Sequence, residues 1–108
     1  MMSIFDDAEV ISSYPLARAI EDGILVEICK NRWPELSGGK PIVATAHIFH
    51  EISLAGLMEI WNEFVQWQKT VMPTLPEAER LFTTTMNGET VWVFADGAAY
   101  TLMYPDDY

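Results

Sequence analysis

Cys29 is the only cysteine in the chain, which excludes an intrachain disulfide and suits a reducing cytoplasm. Basic residues are nearly as scarce, with six Lys and Arg against sixteen Asp and Glu and a net charge of −10. Such a surface repels nucleic acid and anionic membranes and attracts basic partners, so direct nucleic-acid binding is not expected. No apolar run reaches membrane-spanning length, and no membrane segment is expected. The start, MMSIFDDAEV, lacks the basic and apolar regions of a signal peptide, which points to a cytoplasmic protein. Histidine is limited to His47 and His50.

What is present fits a single domain spanning 1–108, half of it hydrophobic. A chain of this length buries roughly two thirds of its unfolded surface, enough for a core without staples. The acids do not form one tail. Their pairs and clusters fall at Asp6, Asp7, Glu9, then Glu21, Asp22, then Glu59, Glu63, then Glu77, Glu79, and at Asp106, Asp107. Spread in this way, they also serve ordinary solubility.

SYPLARAIEDG reads as a short helix, with Ser13 as cap, Pro15 in the first turn and Gly23 as the left-handed stop. ILVEI, 24–28, reads as a strand. NRWPELSGGKP, 31–41, has two prolines and two glycines and reads as a loop. PIVAT adds a short extended piece, and Thr45 is placed to cap the helix beginning TAHIFHEIS. A long helix follows, with apolar residues at 54, 57, 58, 61, 64, 65, 71 and 72 and with Ile60 and Trp67 on one flank. Gly56 weakens its first turn, and Pro73 and Pro76 end it. LFTTTM, ETVWVFA and AAYTLMY then form a β-meander, joined at Asn87-Gly88 and Asp96-Gly97, both read as two-residue turns needing positive φ. On the middle strand Trp92 and Phe94 alternate with Val91, Val93 and Ala95, so either both sheet faces are partly covered or an aromatic face is open. The expected fold is α+β: a three- or four-stranded antiparallel sheet, with ILVEI as the optional fourth strand, packed against one long and one or two short helices.

HIFHE, 47–51, gathers both histidines and a carboxylate. On a helix His47, His50 and Glu51 share an arc of about 100°, opposite Ile48, Phe49 and Ile52. A zinc helix needs H-E-x-x-H, with histidines four apart and the Glu between them. Here they are three apart and the Glu follows, so a polar helix face is favoured over a metal site, and no metal or cofactor is expected. Cys29 paired with a histidine would make a nucleophile, but a lone Cys ending an apolar strand is more often a small buried residue. SGGK, 37–40, is no phosphate loop, because the spacing is absent and Pro41 stands where Ser or Thr belongs. Trp61 is expected in the core. Aromatics beside acids suit a protein–protein surface better than base stacking, which needs positive charge alongside.

The phrases ISSYPLARAIEDGILVEI, PIVAT and the closing YTLMYPDDY resemble a family of small proteins carried on bacterial plasmids, prophages and other mobile elements. The likeness spans residues 10–108, although this chain is shorter than usual between its short and long helices. The shared motifs are structural: the Gly23 turn, the strand apolars and the Pro105 exit. The family has no agreed activity, so the resemblance transfers no catalytic residue. It implies a context in which small acidic proteins counter host defence, as anti-CRISPR and anti-restriction proteins do. The resulting expectation is a non-enzymatic inhibitor whose acids occupy a basic, DNA-binding surface of a CRISPR effector or another defence protein. Glu59, Glu63, Asp6, Asp7, Asp106 and Asp107 are the expected contacts, and Trp67 the anchor. Two alternatives stay open: a small metal-dependent or acid–base enzyme using His47, His50 and Glu51, and a dimerising accessory protein that joins through a meander edge or Trp67.

Overall fold

The computed structural model describes residues 16–107. Helix α1 (Leu16–Glu21) leads through the Gly23 turn to β1 (Leu25–Glu27), and then come α2 (Trp33–Ser37), β2 (Ile42–Thr45), α3 (Ala46–Glu51) and the long α4 (Leu54–Thr70). Strands β3 (Phe82–Met86), β4 (Glu89–Ala95) and β5 (Tyr100–Met103) follow, and a 3-10 turn, Pro105–Asp107, comes after them. The fold is α+β as expected, but the sheet has five strands in the order β1-β2-β5-β4-β3. It is mixed rather than antiparallel, because β2 runs parallel to β5 while every other pair is antiparallel. PIVAT therefore sits inside the sheet. All four β2 residues are buried, so the strand shows no alternation, as befits a strand covered on both faces. Among the described residues no helix is long and apolar enough to cross a membrane.

Registers Ile42↔Tyr100, Ala44↔Leu102 and Val93↔Leu102 put these residues on one face, with Phe82 and Val91. Helix α4 lies against that face through Leu57, Ile60, Trp61 and Phe64, all buried. Ile60 is thus central to the stripe rather than on its flank. Leu54 and Val71, at the ends of the periodic run, are 52% and 42% exposed. Phe64 is the hub of the aromatic packing, with ring centroids 5.3 Å from Trp61, 5.5 Å from Tyr100 and 5.7 Å from Phe82. On the opposite face Val43 and Met103 are buried and Trp92 and Phe94 half-buried, so both faces are partly covered.

Gly56 does more than weaken a turn. Its backbone approaches the residue that caps α3, and a Cβ there would lie 2.7 Å from Ile52 Cγ2. The 31–41 segment also departs from a loop, since Pro34 fits the first turn of α2 and Gly38 closes the helix at φ 70°. Asn87 and Gly88 take φ 56° and 83°, the expected two-residue hairpin. The second connection differs. Gly97 has no positive φ, and the register Ala95↔Tyr100 leaves four residues in the loop. The Asp96 carboxylate organises it, accepting from the amides of Ala98 at 2.7 Å and Ala99 at 2.9 Å. A side-chain acceptor replaces the backbone chemistry expected of Asp-Gly.

Candidate functional site

Thr45 ends β2 and starts α3. Its hydroxyl oxygen accepts from the Ile48 amide, as expected of a cap, and the same hydroxyl donates to Asp107 Oδ2 at 2.7 Å. One helical turn separates His47 from Glu51, so both project on one side of α3. Strand β5 delivers Tyr104 beside them, and Pro105 turns the chain so that Asp107 folds back, its Oδ2 accepting the Tyr104 amide at 3.2 Å. His47 Nδ1 lies 3.0 Å from Asp107 Oδ1, and Nε2 lies 3.3 Å from Glu51 Oε2. The Tyr104 hydroxyl donates to Glu51 Oε1 at 2.8 Å, and its ring meets the His47 ring edge-on at 4.7 Å. The cluster borders an open pocket of about 460 Å³, whose other side is Gly88, Glu89 and Thr90 and whose rim includes Pro105 and Asp106.

The electrostatics follow from these contacts. The hydrogen bond to Asp107 raises the His47 pKa above its ordinary value against a desolvation cost, and the charges of Asp107 and Glu51 add to the rise. Burial works to raise the Asp107 carboxyl, but the Thr45 hydroxyl, His47 and the Tyr104 amide outweigh it, and the pKa falls. Burial first, then the hydrogen bond to Glu51, pushes Tyr104 up to about 12. The result is an imidazole poised to hold a proton between two carboxylates, half open to solvent. Among the described residues no group of three or more His, Cys, Asp or Glu is placed to hold a metal ion.

The expected site residues divide. His47 and Glu51 come together, but His50 is exposed and turns toward Phe49, ring centroids 6.2 Å apart. Phe49 is itself 37% exposed and does not join Ile48 and Ile52 in the core. Glu59 and Glu63 are both exposed on α4, and Glu63 accepts from the Thr84 hydroxyl at 2.6 Å. Trp67 is half-buried and packs against Phe64 and Phe82, as a core-edge residue does. Asp106 is exposed, whereas Asp107 is tied inward by the contacts above and is not a solvated end. Asp6 and Asp7 lie outside the described residues. Cys29, at φ 53°, directs its thiol to Met58 Sδ at 3.4 Å.

Charge is segregated along the chain. Residues 16–50 carry four acids and four bases, and residues 51–107 carry nine acids and two bases. In the first group Arg18 pairs with Asp22, Lys30 with Glu27 and Arg32 with Glu35. In the second, the β3–β4 hairpin touches both the α4 ridge, through Thr84, and the acidic pocket, through Glu89.

Fold and site together define a small acidic α+β protein with a histidine–carboxylate cluster at the edge of a concave acidic surface. No family model, no curated protein and no solved structure matches the chain.

Proposed function

We propose that this chain is a non-catalytic binding protein of mobile-element origin. It acts in the bacterial cytoplasm by laying an acidic surface on a basic, nucleic-acid-binding surface of a defence complex, in the most concrete form a CRISPR effector, and so blocks DNA access. The observation that carries the reading is the charge segregation, with nine acids against two bases over residues 51–107. DNA-binding clefts are lined with Lys and Arg spaced for phosphates, and carboxylates compete for those groups. Complementary charge also speeds encounter at low salt. Glu59, Glu63 and Asp106 are exposed to make such contacts, and Asp6 and Asp7 stay in the proposal from sequence. Asp107 serves it indirectly, by holding the turn that presents Asp106. A pull-down from bacterial lysate with stepwise salt elution tests the reading. It should recover a basic nucleic-acid-binding protein, released by salt and lost with Glu59→Lys plus Glu63→Lys. Unchanged recovery by that folded variant removes the α4 ridge from the interface.

One observation favours a second reading. His47, paired with Asp107 and facing a pocket, has the geometry of a general base with its orienting carboxylate. This enzyme would use His47 and Glu51 without His50. Its discriminating feature is function that His47→Ala abolishes while partner capture persists.

A further inference from the structure

His47 stands between two carboxylates, one on each ring nitrogen, and the two contacts are unequal. Nδ1 to Asp107 is 3.0 Å, and that carboxylate is held in place by the Thr45 hydroxyl and the Tyr104 amide. Nε2 to Glu51 is 3.3 Å, and Glu51 is about half exposed. A carboxylate accepts and cannot donate, so both contacts require a proton on each nitrogen. A neutral imidazole has only one. The shorter, better-supported contact keeps it, and the Nε2 lone pair then confronts the Glu51 charge. The other titratable groups around the ring are Tyr104 from the end of β5, Glu89 across the pocket on β4, and Asp106 in the turn. All but the neutral Tyr104 hydroxyl are acids, so among the described residues no second cation takes the place of the lost proton.

We propose that His47 is a proton-operated clasp: with both ring protons it holds Asp107 and Glu51 at once, and on losing one to water it releases Glu51 and, through Glu51, the Tyr104 hydroxyl. The Asp107 arm stays closed in both states, so the 105–107 turn remains docked while the Glu51 wall of the pocket loosens. The pocket is therefore less negative and more rigid at mildly acidic pH, and more negative and more open above it. This inference concerns the cluster alone and stands whether or not the proposed partner is found.

Proton-resolved NMR titration of the full chain, labelled on His, Tyr and Glu, tests it. His47 should titrate with a midpoint above the ordinary 6.5. The Glu51 carboxyl and Tyr104 ring resonances should move with that same midpoint, and the neutral ring should carry its proton on Nδ1. In Glu51→Gln the new amide can donate to the neutral Nε2 and still accept from Tyr104, so Tyr104 should no longer follow His47. Asp107→Asn should bring the His47 midpoint down. Tyr104 and Glu51 resonances that stay still through the His47 midpoint, or a neutral ring protonated at Nε2, would overturn the clasp, and both are read on the unmodified chain.

Discussion

In residues 16–50 three cations lie within 4 Å of a carboxylate three or four positions along the chain, and the fourth, Lys40, sits 4.3 Å from the centre of the Tyr100 ring. In residues 51–107 four carboxylates accept from neutral donors. Glu63 accepts from Thr84, Glu51 from Tyr104, Asp96 from two amides and Asp107 from Thr45. The difference is physical. An ion pair satisfies lone pairs and cancels charge, while a hydrogen bond from a hydroxyl or amide satisfies lone pairs and leaves the charge in place. These contacts fix Glu63 and Asp96 without cancelling their charge, while Glu51 and Asp107 also face His47, which comes from the first region.

The deepest way to test whether these regions differ only at the surface is to strike the interior they share. Ile28, Ile42 and Ile48 from one pack in a single cluster with Leu57, Phe64 and Leu102 from the other. Phe64→Ala should cost about 3–5 kcal/mol and unfold both regions in one transition, followed by denaturant melts with two probes. Separate transitions would break the comparison into two independent units. The joint between the regions comes next. Gly56→Ala gains helix propensity, but its Cβ meets Ile52 Cγ2 at 2.7 Å, and overpacking of that kind costs about 1–3 kcal/mol. A lower thermal midpoint is expected, and an unchanged or higher one would show that Ile52 gives way freely.

On the surface, Glu59→Lys with Glu63→Lys should weaken capture of the proposed basic partner about tenfold or more, roughly 1.4 kcal/mol. Glu35→Lys, which reverses an acid already paired with Arg32, should leave it nearly unchanged. Equal losses from the two would erase the distinction between paired and unpaired acid. The pH dependence is smaller and has a definite sign. The raised His47 pKa stabilises the fold below the ordinary value of 6.5 and is lost as pH rises through the folded value. The lowered Asp107 pKa stabilises above the ordinary 3.8 and is lost as pH falls through its folded value. The cluster therefore helps most between these two values, and the excess of the thermal midpoint at pH 5 over pH 8 should shrink in His47→Gln. The smallest effect belongs to the balanced region: removing Arg32 and Glu35 together should change stability by less than about 0.5 kcal/mol, because both side chains are exposed.

Much of this was legible along the chain. The 54–70 helix, the Thr45 cap, the Gly23 stop, the Asn87-Gly88 hairpin and the three meander strands all rest on local periodicity or on φ preferences that single residues impose. The site was legible only in half. HIFHE marked His47 and Glu51, but Asp107 and Tyr104 lie more than fifty positions away, and nothing local links YPDD to the end of PIVAT. An arc on an isolated helix shows which residues share a side, not where a neighbouring element supplies partners, so it could not separate His47 from His50. Within 31–41 the prolines and glycines that suggest a loop instead bound a helix, because Pro34 and Gly38 each sit at the helix end that favours them.

By itself, then, the sequence determined most of the element types, the single-sign charge and the apolar stripe of α4, since these follow from short-range sterics and from which side chains water rejects. Tertiary structure alone decided that β2 would lie parallel to β5 at the centre of the sheet. That pairing brings the end of β2 beside the exit of β5, and so places Thr45, His47 and Glu51 against Tyr104 and Asp107. β2 is buried on both faces and carries no alternation to mark its partner or register, so the pairing that built the cluster was settled only when the whole core closed.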